Sequence, residues 1–321
     1  MRNQIKIRTT WAGGWISNLL AVLLLLMPVN AHAQQHDRSV AFTIDDLPAV
    51  RSRDLEFMRT ITDRLLSGLK TAQIPAIGFV NEVKLHVPGE LTERSALLRA
   101  WLDSGFTLGN HTYGHLWFYE TPLDVFKQDV IKGEKVTGTL LAGKGLPLRY
   151  FRHPRLNTGP DQERRALFEA FLQEREYTIA PVTIDNDEYV YALAYYNAWR
   201  DKETELMNRI GSDYVSYMSD IFGFYETFSR RIIGREPAQT LLIHANLLNA
   251  DYLPHLVRML RDRGYQFVSL DEALEDPAYS LPDTYTGRTG FSWLHRWAIS
   301  MGKDHESQPG VPEWITKIAW P

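Results

Sequence analysis

Strand–helix alternation is the feature that most constrains the fold of this chain. Short apolar and β-branched runs alternate with amphipathic helical segments about seven times, without a break in composition. This pattern is typical of parallel strands, because each helix returns the chain to the same end of the sheet. Seven such units can form an open sheet or a barrel. We favour a single (β/α) barrel, since polar residues follow the strands and would converge on one rim.

Polar side chains follow five of the predicted strands. In chain order they are Asp45 with Asp46, His111 with His115, Arg152 with His153, Asp185 with Glu188, and His244. Each alone has an ordinary interpretation, such as a turn former, a surface ion pair or a solvated histidine. Five such groups at successive strand ends favour a functional site instead.

The two histidines suggest a metal site. His111 and His115 would face one point if the segment between them turned like a helix, because positions i and i+4 share a face. A carboxylate from the Asp45-Asp46 pair would complete a set of two His and one Asp, which leaves positions on a divalent ion open. The same triad serves Fe(II) oxygenases, but these use a β-sandwich, and the strand–helix alternation argues against that class.

The amino terminus has the organisation of a secretory signal peptide. A basic start is followed by an apolar core and by the small-x-small sequence Ala31-His32-Ala33, so we expect residues 1–33 to be removed after Ala33. An uncleaved membrane anchor is the alternative, but the apolar run is short for a spanning helix. We therefore expect a periplasmic or secreted protein without stable membrane insertion.

Composition excludes several function classes. The leader holds three basic and no acidic residues, so the mature chain has 32 basic against 39 acidic side chains and no basic stripe that would bind nucleic acid. The absence of cysteine removes disulfides, thiolate catalysis and thiolate zinc sites. The core must therefore stabilise the fold alone.

Two regions lie outside the strand-end groups. Residues 191–235 are helical and rich in aromatic residues, and we expect two helices broken near Gly211. Asn249 is expected to cap the following helix. We place the catalytic domain at residues 34–277 and a tail at 278–321, which has four tryptophans and would pack on the barrel or line its mouth. We also expect part of the helical region to form a wall of a substrate cleft.

The strand-end motifs resemble those of the polysaccharide deacetylase family, whose members carry the NodB homology domain. The similar motifs are Thr43-Ile44-Asp45-Asp46 (Thr-Phe-Asp-Asp), His111-Thr112-Tyr113-Gly114-His115 (His-(Ser/Thr)-x-x-His), Arg152-His153-Pro154 (Arg-x-Pro), Leu242-Ile243-His244 (Leu-x-His) and, more loosely, Asp185-Asn186-Asp187-Glu188-Tyr189 (Asp-x-x-Asp-Trp). They occur in the family's order between residues 39 and 270.

The resemblance implies a distorted (β/α)7 barrel and metal-dependent hydrolysis of N-acetyl or O-acetyl groups on carbohydrate. It implies that Asp46, His111 and His115 hold Zn²⁺, or another ion such as Co²⁺ or Ni²⁺. The expected catalytic residues are Asp45 as base, Arg152 as its partner, His244 as acid, and an acid among Asp185, Asp187 and Glu188, with Glu188 aligned, supporting His244.

The chain departs from the family pattern at specific positions. Leu47 stands where a glycine is usual, Glu188-Tyr189 replace Asp-Trp, and Arg155 occupies a position that tends to be aromatic. The last change alters the sugar-facing wall of the groove. The substrate could be peptidoglycan, chitin oligomers, xylan or an exopolysaccharide, and the oligomeric state is open. A non-catalytic glycan-binding protein on the same fold is the alternative function, which retention of Asp45, Arg152 and His244 disfavours.

Overall fold

The computed structural model describes residues 38–50 and 54–321, which belong to one compact unit. The predicted signal peptide lies outside the described residues. Within the described part of the chain, every helix is too short or too polar to cross a bilayer.

Parallel strands form the centre of the molecule. Its sheet has the order β5-β4-β3-β2-β1-β6, and β7 also pairs with β1. The described strands are β1 (Arg38–Leu47), β2 (Ala76–Val80), β3 (Thr107–Asn110), β4 (Tyr150–Phe151), β5 (Thr178–Ile179), β6 (Gln239–His244) and β7 (Tyr265–Val268). Every pairing between them is parallel, so their carboxyl ends meet at one rim.

The sheet curls into a distorted barrel. After β5 the chain leaves the sheet and returns at Ile184, which bridges to Leu241 of β6. The amide of Thr183 also donates to the carbonyl of Thr240 at 3.1 Å. This segment connects the two ends of the strand order, and the two-residue length of β4 and β5 makes the barrel irregular. The predicted distorted (β/α)7 barrel is confirmed.

Helices surround the sheet. The described α-helices are α1 (Leu55–Ala72), α2 (Leu91–Asp103), α3 (Leu123–Lys132), α4 (Lys135–Ala142), α5 (Gln162–Glu174), α6 (Glu188–Arg200), α7 (Thr204–Ile233), α8 (Leu247–Asp262), α9 (Leu270–Leu274), α10 (Trp293–Ser300) and α11 (Glu313–Ala319). In α1, apolar residues three or four apart, such as Met58, Ile61 and Leu65, are buried, and Asp54 caps the first turn by accepting from the amide of Phe57 at 2.7 Å.

Two local expectations were wrong. Gly211 does not break a helix but lies inside α7, because the ring of Tyr252 fills the space of its missing side chain, where a Cβ would lie 1.9 Å from the ring. The break falls instead between α6 and α7, at residues 201–203. The cap of α8 is Asn246, whose side chain accepts from the amide of Asn249 at 2.9 Å. The Asn249 side chain is thereby free for another use, described below.

The tail lies against the barrel. The amide of Trp293 donates to the carbonyl of Val182 at 2.7 Å, and Trp297 is buried. Asn197 of α6 donates to the carbonyls of Ile318 and Ala319 in α11. The tail therefore contacts both the segment that closes the barrel and the helical region before β6.

Candidate active site

A β-bulge at the end of β1 separates the two adjacent aspartates. Between Ile44 and Leu47 the register with β2 shifts, so that β1 has one residue more than its partner. Asp46 adopts a left-handed backbone conformation, with φ 70°. Asp45 is 2% exposed, whereas Asp46 is partly exposed toward the rim. The bulge thus aims neighbouring carboxylates at different positions.

The histidine pair is brought together by a loop and not by a helical turn. β3 ends at Asn110, and the loop that follows has left-handed residues at Thr112 (φ 64°) and His115 (φ 55°). The Asn110 side chain accepts from the amide of Thr112 at 2.7 Å, and the Thr112 hydroxyl accepts from the amide of His115 at 3.0 Å. The two imidazole rings lie 4.9 Å apart between centroids. The two histidines are close together as predicted, but the segment between them is a loop and not the helical turn that we expected.

Asp46, His111 and His115 form a donor set that fits a divalent metal. Their nearest ligand atoms all lie within 4.8 Å of one another, and Asp46 Oδ1 is 4.0 Å from His111 Nε2 and 3.9 Å from His115 Nε2. His111 Nδ1 donates to the carbonyl of Arg152 at 2.8 Å, which leaves Nε2 free as a ligand. Burial lowers the pKa of both histidines to about 4, so both are neutral near pH 7, the form that binds metal.

Lys84 is a site residue that the sequence motifs did not indicate. It ends the short 3₁₀ helix Glu82–Lys84 after β2, and its ammonium donates to the carbonyl of Asp46 at 2.7 Å. The same ammonium is 3.4 Å from Asp46 Oδ1. Burial alone would raise the pKa of Asp46, but Lys84 and the neighbouring histidines hold it below its ordinary value. Asp46 is therefore ionised, and the hydrogen bond from Lys84 to its carbonyl holds its left-handed backbone in place.

Asp45 is paired with Arg152 beneath the rim. Asp45 Oδ2 lies 3.6 Å from Arg152 Nη1 and 3.6 Å from His111 Nε2. The guanidinium donates to the hydroxyl of Thr43 at 2.8 Å and packs over the ring of Phe79. Burial raises the pKa of Asp45, and the charge of Arg152 opposes that shift. Asp45 Oδ1 is buried and accepts no hydrogen bond from the residues that the structure describes, so its capacity to accept a hydrogen bond is unused there.

His153, the middle residue of the Arg-His-Pro motif, is buried away from these groups. Its ring packs against Phe151 and Phe168, and it does not line the cavity of the site. We assign it no chemical role.

His244 and Glu188 form another pair in the site, and His244 is the β6 register partner of Asp45. His244 Nδ1 lies 2.8 Å from Glu188 Oε2, and Glu188 Oε1 accepts from the side chains of Asn246 and Asn249. The hydroxyl of Tyr214 in turn donates to Asn249 Oδ1 at 2.8 Å. Burial favours neutral His244, but Glu188 outweighs it and raises the pKa of His244 to about 9. Among the three candidate acids, Glu188 is the one that contacts His244.

The two other acids of that motif have different surroundings. Asp185 accepts from the amide of Asn186 at 2.9 Å, and burial raises its pKa to about 7. Asp187 lies at the start of α6, where its amide donates to the hydroxyl of Tyr217 at 2.9 Å. Both line the same cavity as His244.

Comparison with known sequences identifies the family. Residues 32–167 match the sequence model of the polysaccharide deacetylase family. The chain carries a polysaccharide deacetylase domain. The resemblance carried by the motifs is thereby confirmed, and the family is one of hydrolases that act on polysaccharides. The matched range includes Asp45, Asp46, His111, His115 and Arg152, whose individual roles stay predictions. No curated protein matches the sequence.

Solved structures of carbohydrate esterase family 4 are similar to this chain. A wild-type pseudoenzyme of that family from Bacillus anthracis is 16% identical over 75% of this chain and 66% of its own, with TM-score 0.46. The peptidoglycan deacetylase PdaC from Bacillus subtilis is 18% identical over 75% of this chain and 92% of its own, with TM-score 0.46. A family 4 carbohydrate esterase from Streptomyces lividans, in complex with acetate, is 18% identical over 74% of this chain and 95% of its own, with TM-score 0.43.

The candidate catalytic groups open into a cavity of about 880 Å³. One wall comes from α6 and α1, through Tyr189, Tyr196 and Phe57. The facing wall comes from Trp117, which lies shortly after His115, and from Arg155. Arg288, Thr289 and Gly290 of the tail complete the lining. Arg155, part of the helical region and the tail were expected near a substrate cleft, whereas nothing in the sequence indicated that Phe57 and Trp117 would line it.

The aromatic residues of the helical region divide between core and cavity. Tyr196 lines the cavity, whereas most of the others are buried in the core. The buried aromatic residues of this region include Tyr195, Tyr214, Tyr217, Phe222 and Tyr225, and in the tail Trp293 and Trp297 are buried too. The wall is thus formed by α6, while α7 packs beneath it.

Proposed function

We propose that this protein is a metal-dependent carbohydrate deacetylase that hydrolyses N-acetyl or O-acetyl groups of an acetylated glycan. The observation that carries the proposal is the grouping of Asp46, His111 and His115 within 4.8 Å, with Asp45 and His244 lining the same cavity. A glycan-binding protein would need no residues beyond the metal ligands. Hydrolysis also needs a base and an acid, which Asp45 and His244 would supply.

Zn²⁺ is the ion we assign to this donor set, and Co²⁺ or Ni²⁺ suit the same ligands. When bound, such an ion lowers the pKa of water from ~16 toward ~7 and polarises an acyl oxygen. His111 would be oriented by its bond to the Arg152 carbonyl, and Asp46 by Lys84. Three protein ligands leave positions free for water and substrate.

Asp45 is the base in this proposal. It is buried 3.6 Å from Arg152, whose charge favours the ionised carboxylate against the effect of burial, and its Oδ1 accepts no hydrogen bond from the described residues, so it would take the proton of the attacking water. Arg152 keeps the carboxylate in place, because its other contacts with Thr43 and Phe79 fix the guanidinium.

His244 is the acid that protonates the leaving amine or alcohol. Glu188 favours the imidazolium, so a proton is available near neutral pH. Asn246 and Asn249 hold the other carboxylate oxygen of Glu188, which fixes the direction of the His244 ring.

Export is part of the proposal, with cleavage after Ala33 and a periplasmic or secreted site of action. One experiment tests location and chemistry together. The full chain is expressed with its own leader, and the exported protein is expected to have the mass of a chain that begins at Gln34. That protein should release acetate from acetylated chitooligosaccharides or acetylated xylan, lose the activity in a chelator, and regain it with Zn²⁺. Absence of acetate release from acetylated glycans in the metal-loaded protein would overturn the proposed function.

A further inference from the structure

Two arginines lie against one tryptophan on a single wall of the cavity. The guanidinium carbon of Arg155 is 5.1 Å from the ring centroid of Trp117, and that of Arg288 is 4.8 Å from it. All three residues line the cavity that holds the candidate catalytic groups. Cation–π contact with a ring face orients a guanidinium while leaving its N–H groups available to a ligand.

Arg155 is held in place by backbone packing from the tail. Its backbone is left-handed, with φ 56°, and Leu156 follows with φ 52°. Gly290 approaches so closely that a Cβ there would lie 1.9 Å from the carbonyl oxygen of Arg155, so only glycine fits. Across residues 38–50 and 54–321, no carboxylate forms an ion pair with Arg155. Its charge is thus exposed to the cavity without an internal counter-ion among these residues.

Arg288 is fixed by the same packing. Asn157 donates to the carbonyls of Gly287 and Arg288, at 2.8 and 3.0 Å. The side chain of Arg288 is 3.4 Å from Glu120, but the two side chains are 67% and 58% exposed. An ion pair this exposed is weak and screened by salt, so a ligand can replace it.

The remaining charges of the cavity lie elsewhere. Asp46 is paired with Lys84, Asp45 with Arg152, and His244 with Glu188. Asp185 and Asp187 line the cavity at the motif before α6 and would repel an anion there. The Trp117 wall is therefore the part of the cavity suited to a negative group.

We propose that the substrate is an acidic glycan, and that Arg155 and Arg288 bind an oxyanion, such as a carboxylate, close to the acetylated sugar. This inference rests on the proposed function. The anion could belong to the acetylated sugar itself, as an acidic ether substituent, or to a neighbouring uronic acid. Two guanidinium groups suit either source, because each presents parallel N–H donors that match two oxygens.

Matched glycans test the preference. Oligosaccharides of alternating N-acetylglucosamine and glucuronic acid are compared with the same oligosaccharides after reduction of the carboxyl groups to alcohols. A second pair compares a disaccharide of N-acetylglucosamine and N-acetylmuramic acid with N,N′-diacetylchitobiose. In low salt, kcat/KM should be at least ~10-fold higher for the charged member of one pair. The pair that shows the difference identifies the source of the anion.

The variants assign the preference to the two arginines. In the double variant Arg155→Gln with Arg288→Gln, the ratio of charged to neutral kcat/KM should fall to about one. Arg99→Gln, on the exposed face of α2 and outside the cavity lining, should keep the ratio. Equal rates on both members of both pairs, or a ratio unchanged in the double variant, would overturn the inference.

A binding measurement separates this inference from the proposed function. Calorimetry on the Asp45→Asn variant should show tighter binding of the charged oligosaccharide, with an advantage that shrinks as salt rises. If neither glycan pair releases acetate with the wild-type protein but the charge preference in binding is found, the proposed function fails and the anion site stands. If acetate is released without any charge preference, the anion site fails and the proposed function stands.

Discussion

At the scale of single residues, side chains of the same type in the site have different charged partners and different burial. Asp45 and Asp46 are adjacent, yet one faces Arg152 and the other Lys84. The β-bulge makes this possible, since a regular strand would not hold Asp46 in a left-handed conformation. The same principle applies to His111 and His244. Burial holds the first neutral, as the proposed metal site requires, and Glu188 favours the protonated form of the second.

Replacing Glu188 by Gln tests whether this carboxylate keeps His244 protonated. The pKa of His244 is raised to about 9, so His244 carries its proton below that pH and loses it above. Without the carboxylate, the largest stabilising contribution to the imidazolium is lost, and the midpoint should move to lower pH. NMR titration of the His244 ring in metal-free protein measures this directly, and the alkaline limb of kcat should move the same way.

Glu93→Gln, an exposed change on α2, is the control and should leave the His244 titration where it is. A His244 midpoint that stays near the wild-type value in Glu188→Gln would show that this carboxylate does not support the acid.

At the scale of elements, strand ends could be predicted and their connections could not. The motifs placed polar residues at the ends of β1, β3 and β6, because apolar runs followed by polar groups are visible in the sequence. The loop geometry of His111 to His115 was not visible, because left-handed residues other than glycine leave little trace in composition. The predicted helix break at Gly211 was wrong because the glycine makes room for the ring of Tyr252, a tertiary contact that the sequence does not reveal.

Helix α6 is the element expected to set how far along a glycan the protein makes contact. Its residue Tyr196 lines the cavity and packs against Phe57 with ring centroids 5.9 Å apart. Aromatic faces pack on sugar rings, so Tyr196→Ala should raise KM for an acetylated hexasaccharide by more than for a small acetyl ester, which cannot reach α6. Steady-state kinetics on both substrates measures the difference.

Trp320→Ala removes a larger aromatic group that is 51% exposed and outside the cavity lining, so it should change neither KM. Equal losses on both substrates in Tyr196→Ala would mean that this residue supports packing and does not contact the glycan.

At the scale of the whole molecule, one rim collects contributions from most of the chain. β1, β3 and β6 supply the groups of the proposed chemistry, α6 supplies one wall, and the tail brings Arg288 to the other. The tail is fixed to the loop after Arg155 by Arg296, which is buried and donates to Thr158 at 2.8 Å. Such long-range contacts have no local sequence signal, which is why Lys84, Trp117 and Arg288 were missed.

The central claim is that Asp46 holds a metal while its neighbour Asp45 takes a proton. Asp45→Asn and Asp46→Asn make the same chemical change at adjacent positions, and metal content and acetate release are measured on the same preparations. Asp45→Asn should retain about one ion per chain and lose turnover by ~10²-fold or more. Asp46→Asn should lose both. An Asp46→Asn protein with its full complement of metal, or an Asp45→Asn protein with wild-type turnover, would contradict the account.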